Sequence, residues 1–201
     1  MGSQLTKNYD VEKEFFVQGG LNSQWRVHRA KKKTGDDVAI FMYDKKNSKG
    51  RSAVQQQELF DLLKRDALGL AKFRHPNMLS LIEAPIEDKT VIAYVTESFE
   101  YNLSIITERK DLVPSEIDIK CLILELIEIV NFLHTNTKYI HMNLAPEHIY
   151  VTKEGKLKLA GLNFIKQFSS ADPVLIQLES LIPNLRFAAP EVSHQSAMVS
   201  A

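Results

Sequence analysis

Cysteine is almost absent from this 201-residue sequence: Cys121 stands alone. No internal disulfide can form, and a zinc site built on several cysteines is excluded. A lone cysteine suits a reducing compartment. Surplus charge is missing too, since 25 Lys and Arg balance 25 Asp and Glu. A broad nucleic-acid surface needs an excess of cations, so nucleic acid is not an expected partner. No apolar run reaches the ~18 residues that cross a bilayer. Met1–Glu14 is polar and charged, without the apolar stretch of a secretory signal. Glycine (8) and proline (7) are sparse and no repeat or low-complexity tract is present. With 44% hydrophobic and 25% charged residues, the chain reads as one globular domain or two small ones.

The first residues, Met1-Gly2-Ser3-Gln4-Leu5-Thr6, fit the pattern for N-myristoylation at Gly2; a chance match is the competing reading. One acyl chain binds membranes only marginally, so a peripheral contact would need a second attachment. Lys31-Lys32-Lys33 could supply one near anionic lipid, although a solvated hairpin accounts for it equally simply.

Periodicity divides the chain. Phe15–Val17 is a short apolar run before Gly19-Gly20, Trp25–Ala30 alternates with period two, and Val38–Tyr43 is continuously apolar. With the turn signal Thr34-Gly35-Asp36 between the last two, these predict a three-stranded antiparallel meander. Ser52–Phe73 carries apolar residues at helical spacing, and Pro76 stops it. Strands are expected at Met78–Ile82 and Val91–Thr96, and a short helix at Asn102–Arg109. Pro114-Ser115-Glu116 opens a long helix to residue 136, with an apolar face too broad for an ordinary surface helix. Short strands are expected at His148–Val151 and Lys156–Leu159, and a long loop over 163–188.

Five strands with one long helix, then a second long helix, then His-x-Asn in a loop, resembles the order of a protein kinase. The motifs carry the resemblance. Val38-Ala39-Ile40 resembles the start of the V-A-I-K strand, and His75-Pro76-Asn77 the turn after the regulatory helix. Thr96-Glu97 falls at the gatekeeper and first hinge residue. Tyr139–Ile149 resembles the H-R-D catalytic loop, and Ala189-Pro190-Glu191 matches A-P-E.

The departures from that pattern concern chemistry. The phosphate-gripping lysine is Phe41, and the helix acid that should meet it is Asp66. The catalytic Asp is Asn143, whose carboxamide cannot act as a general base. The loop lysine is Ala145, the metal-binding Asn is His148, and the metal-binding Asp of D-F-G is Gly161, which has no side chain to ligate. Of the Gly-rich loop only Gly20 and Val27 agree; Trp25 at the third glycine would crowd the phosphates. Lys45 and Lys46 follow soon after Phe41, but no acidic residue stands ready to hold Mg²⁺. These degenerate positions are expected to carry no catalysis and no metal.

Phe41-Met42-Tyr43-Asp44-Lys45-Lys46 and Gly161-Leu162-Asn163-Phe164 narrow the resemblance to the SCYL pseudokinases, also called N-terminal-kinase-like or coated-vesicle-associated kinase-like proteins. That resemblance implies an α+β, protein kinase-like fold: residues 1–10 as a tail, 11–97 as an N-lobe of five strands and one helix, and 98–201 as a partial, helical C-lobe ending just after A-P-E. Without the remaining helices of such a lobe, the 115–136 helix should expose apolar surface. The resemblance implies an inactive scaffold in vesicle traffic, in the cytoplasm or at Golgi, endosome or vesicle membranes, with coat or trafficking proteins as partners. No cofactor is expected. Gly20, Val27, Ala39, Thr96, Glu97 and Tyr150 fall where the family holds adenine, and leave ATP binding without metal as an alternative. A weak unconventional kinase and an allosteric partner of an active kinase are the rival readings. Phe41 is expected to fill the cleft as core, and His141 to stack with Leu70 and Leu162 between the lobes.

Overall fold

The computed structural model of the chain describes residues 8–19, 24–107, 109, 114–168, 174–175, 185–188 and 198–199. Strands β1 (Tyr9–Gly19), β2 (Trp25–Lys32), β3 (Asp37–Asp44), β4 (Leu81–Glu87) and β5 (Val91–Glu97) form one antiparallel sheet in the order β1-β2-β3-β5-β4. Helix α1 (Ala53–Lys72) packs on its inner face. This is the expected α+β arrangement. The continuous apolar run of β3 has a simple cause: both of its faces are covered. Ala39, Phe41 and Tyr43 point into the main core with α1, while Val38 and Ile40 join Tyr9, Ala30, Ala93 and Val95 on the other face. Tyr9 explains why β1 starts inside the segment read as a tail. Its ring belongs to that outer cluster, and its hydroxyl donates to Glu83 Oε1 at 2.6 Å.

Helix α1 begins where the sequence places it. Ser52 accepts from the Gln55 N–H and Gln55 Oε1 accepts from the Ser52 N–H, a reciprocal cap. It ends at Phe73, ahead of Pro76. Gly69 lets the helix approach the second lobe: a β-carbon built there would lie 2.7 Å from Leu162 Cβ.

The expected strand Met78–Ile82 is displaced to Leu81–Glu87. The reason is tertiary. Leu79 N–H donates to Leu159 C=O at 2.9 Å and Leu159 N–H donates to Asn77 C=O at 2.8 Å, so residues 77–79 pair with the other lobe before the sheet resumes. The expected helix Asn102–Arg109 is instead a two-residue strand β6 (Tyr101–Asn102) and a 3₁₀ turn, Leu103–Thr107. Strand β6 pairs with β8 (Ile149–Val151) and β8 with β9 (Leu157–Leu159), while β7 (Tyr139–Ile140) pairs with β10 (Lys166–Gln167).

Helix α2 (Glu116–Asn131) is capped reciprocally by Ser115 and Asp118 and then widens into a π-type turn, Phe132–Thr137, rather than staying α-helical to 136. Its buried side presents Leu122 and Ile129. Ile117, Ile119, Ile123, Leu124 and Ile127 are exposed, which is the apolar surface the sequence foreshadows. Among the described residues no helix is long and apolar enough to cross a membrane.

The Gly69 contact yields a stability prediction. Alanine favours an open helix over glycine by about 1 kcal/mol, but overpacking a core costs about 1–3 kcal/mol. Gly69→Ala should therefore lower stability by up to about 2 kcal/mol in urea unfolding, and Leu162→Gly, which also removes the β-carbon in the way, should abolish that penalty. A stabilised Gly69→Ala would contradict the close approach.

Candidate functional site

The cleft between sheet and second lobe is filled with rings. Phe41 and Tyr94 stand opposite each other in the β3–β5 register and stack at 4.7 Å with an interplanar angle of 8°. Trp25 meets Tyr94 edge-on at 4.9 Å, and Phe41 meets Tyr150 edge-on at 5.8 Å. Phe99, just after the hinge, lies 4.4 Å from Tyr150 and 5.3 Å from Phe16. Offset and edge-to-face pairs of this kind add about 0.5–1.5 kcal/mol each beyond area burial. Val27, Ala39, Thr96 and Tyr150 are brought together here, and all are buried. Trp25 is fully buried in the same cluster.

The positions of the helix acid and of D-F-G meet directly. Asp66 Oδ1 accepts the backbone N–H groups of Gly161 (2.9 Å) and Leu162 (2.8 Å), and Oδ2 accepts the Tyr94 hydroxyl at 3.2 Å. In place of a lysine, Asp66 binds the backbone. Burial outweighs these donors and raises its carboxyl to about 6. Gly161 has φ +80°, and a β-carbon there would lie 2.3 Å from His148 Cγ. The imidazole thus covers the face of Gly161 from which a ligating side chain would project.

His148 is held from the other side by Asn143. Asn143 Nδ2 lies 2.8 Å from His148 Nε2, so the amide donates and the ring proton sits on Nδ1. That Nδ1 has no hydrogen-bond partner among the described residues. Asn143 Nδ2 also approaches Asn163 Oδ1 at 3.5 Å. His141 Nε2 donates to Ala160 C=O at 2.8 Å, and its Nδ1 accepts the Asn143 N–H. Desolvation pushes His141 down to about 4 and His148 down to about 3, so both rings are neutral. Leu70, His141 and Leu162 are all buried between the lobes, and Ala145 is buried beside Asn143.

The remaining candidates are engaged elsewhere. Glu97 Oε1 accepts the Ser80 N–H at 2.8 Å and pairs with Lys158 Nζ at 3.0 Å; Lys158 also donates to Pro76 C=O. Lys45 pairs with Glu87 at the sheet edge, away from Asp66. Gly2, Gly20 and Ala189-Pro190-Glu191 lie outside the described residues.

A magnesium-bound nucleotide needs carboxylate or amide oxygens around the metal and space for its phosphates. Here Gly161 offers no ligand, a neutral imidazole covers its place, and no group of three His, Cys, Asp or Glu residues is suited to a metal among the described residues. The residues in place do not fit that group. Tyr94, Phe99 and Asn163 are the members that sequence reasoning missed. A signal existed for Tyr94: aligning Val38–Tyr43 antiparallel with Val91–Thr96 puts it opposite Phe41.

Comparison with known proteins agrees with this fold. The protein kinase domain family matches residues 23–201. SCY1-like protein 2 of Mus musculus is 28% identical over 95% of this chain and 23% of its own length. Protein kinase domain-containing protein ppk32 of Schizosaccharomyces pombe is 29% identical over 96% of this chain and 30% of its own. Protein kinase-like protein SCY1 of Saccharomyces cerevisiae is 25% identical over 87% of this chain and 26% of its own. The chain thus spans roughly a quarter to a third of the length of these curated relatives.

Two outcomes test the site. His148→Ala and Gly161→Ala should each destabilise, but their double variant should be less unstable than the sum by about 1–3 kcal/mol, since the two closest clashes, with the ring's Cγ and Nδ1, are removed; additivity would separate the two positions. Asp66→Asn tests the buried acid. A carboxyl raised in the fold contributes stability that is complete below the unfolded value near 4 and is lost as pH rises through about 6. Asp66→Asn should therefore gain on the wild type by roughly 2–3 kcal/mol between pH 4 and 7. His141 and His148 act oppositely, losing stability as pH falls below about 6.5, but cancel in the difference. A pH-independent difference in urea midpoints would refute the raised carboxyl.

Proposed function

Since the chain belongs to the protein kinase domain family, within its SCY1-like group, we propose that it works as a non-catalytic interaction module, a pseudokinase that serves as a scaffold in intracellular vesicle traffic. The observation that carries the catalytic half of this reading is the His148–Gly161 pair. The metal-ligating carboxylate is lost, and the space it would occupy is taken by an imidazole held through Asn143. A single lost ligand could be bypassed by another acid nearby. A packed ring in its place leaves no room for one.

The other substitutions support the same reading. Phe41 stacks on Tyr94 where a lysine would grip phosphates, and Asp66 is committed to backbone N–H groups. Asn143 serves His148 and presents no carboxylate to a substrate hydroxyl. What remains is a well-packed kinase shape whose outer surface is available to proteins. The trafficking half rests on likeness to SCY1-like relatives. On this reading the partners are coat or trafficking proteins, and acylation of Gly2 would add a peripheral membrane contact.

Radiolabelled phosphotransfer with Mg²⁺ or Mn²⁺ should give background incorporation for the wild type and for Asn143→Ala alike. Incorporation well above background that Asn143→Ala abolishes would overturn the non-catalytic reading. Co-sedimentation with purified coated vesicles should retain both proteins equally; failure of both to sediment would remove the trafficking role.

A further inference from the structure

We propose that the turn between β3 and α1 is a docking surface for the anionic headgroups of a lipid bilayer. This surface lies outside the cleft and does not depend on the loss of catalysis. Lys45-Lys46-Asn47-Ser48-Lys49-Gly50-Arg51 carries four cations in seven residues, and no Asp or Glu stands between Lys45 and Gln57. Clusters of about four or more Lys and Arg suit a membrane surface rich in anionic lipid.

The turn is built by its own hydrogen bonds. Lys45–Ser48 is a 3₁₀ helix capped by Asp44, whose Oδ1 accepts the Lys46 N–H at 2.9 Å. Ser48 is buried, and its hydroxyl donates to Lys45 C=O at 2.6 Å. Lys49 N–H donates to Lys46 C=O and Arg51 N–H to Ser48 C=O, both at 3.2 Å. Arg51 Nη1 donates to Asn47 C=O at 3.3 Å, which holds the guanidinium against the turn. Ser48 thus faces inward while Lys46, Asn47, Lys49 and Gly50 are exposed.

The neighbouring acids are occupied. Glu87 is shared by Lys45 at 2.8 Å and Lys64 at 2.9 Å, and Asp88 Oδ1 accepts the N–H groups of Thr90 and Val91. Lys46, Lys49 and Arg51 are in no ion pair among the described residues. The first turn of α1 carries no acid, so the positive end of the helix dipole adds to the cluster. Val54 in that turn is 68% exposed and offers an apolar contact to the headgroup boundary. Nothing lies within 4 Å of a β-carbon built at Gly50. An open turn of this kind presents charge to a planar surface and has no walls to enclose a single phosphate. The more conspicuous Lys31-Lys32-Lys33 run lacks the surplus. Asp10 opposes Lys31 in the β1–β2 register, Asp37 pairs with Lys31 at 3.9 Å, and Asp36 stands in the same hairpin turn.

Co-sedimentation of the full chain, with Gly2 unacylated, tests the inference on protein-free vesicles. These are phosphatidylcholine alone, or phosphatidylcholine with about a quarter phosphatidylserine. Wild type should sediment with the anionic vesicles only, and about 0.5 M salt should release it. The triple variant Lys46→Glu, Lys49→Glu, Arg51→Glu should bind at least about tenfold more weakly. Lys46→Gln with Lys49→Gln leaves the Arg51 contact in place, should fold, and should lose at least about fivefold. Lys31→Gln with Lys33→Gln should bind as wild type does. A wild type that ignores anionic vesicles would overturn the inference, and so would equal binding by the folded Lys46→Gln, Lys49→Gln variant. A loss confined to the Lys31→Gln, Lys33→Gln variant would overturn it too. If wild type sediments with coated vesicles but not with protein-free anionic ones, an acidic protein is the ligand and the lipid assignment falls, while the trafficking reading stands.

Discussion

A fully buried carboxylate has to find donors, and Asp66 finds them on the backbone of Gly161 and Leu162 and on the hydroxyl of Tyr94. Unsatisfied, it would be among the most expensive groups in the molecule. Satisfied, it fastens helix α1 to the loop that follows β9 and sets the height at which that helix sits. Gly69 then permits contact with Leu162, and Leu70 lies beside it in the core. Tyr94, oriented by the same acid, presents its ring face to Phe41. The interlobe contact and the aromatic filling of the cleft thus share one anchor.

The replaced residues work in pairs. Phe41 would be an exposed ring in an open cleft, but Tyr94, Trp25 and Tyr150 enclose it. Gly161 allows the left-handed backbone that turns both N–H groups toward Asp66, and its missing side chain makes room for His148. His148 in turn occupies Asn143, whose amide has exchanged the role of a base for that of a hydrogen-bond donor. Reversing one member of such a pair leaves its partner clashing or unsatisfied. The cleft is stabilised by the same substitutions that strip it of charge, and the chain's exposed chemistry moves to its outer surface.

Periodicity made most of the elements legible. The alternation at Trp25–Ala30, the run at Val38–Tyr43 and the Ser52 cap are local signals, and each element appears within a residue or two of its expected bounds. Where expectation and structure part, a long-range partner decided. Residues 77–79 pair with Leu159, which postpones β4, and the Leu103–Thr107 turn follows a strand whose partner lies near residue 150. Neither partner is visible from the local pattern. The identities at Phe41, Asn143, His148 and Gly161 marked the site by what they lack; the missed members, Tyr94, Phe99 and Asn163, look like ordinary core residues until register and loop path are known.

The sequence by itself determined the family, the element order and the absence of the charged groups of phosphoryl transfer, because those depend on residue identity and on spacing of a few positions. Only the tertiary structure decided what replaced those groups. That Asp66 caps a backbone turn, that His148 lies over Gly161 and that Phe99 turns into the cleft are contacts between residues up to 96 positions apart. Local pattern cannot encode such contacts; close packing selects them, since a void left by a lost side chain is costly unless it is filled.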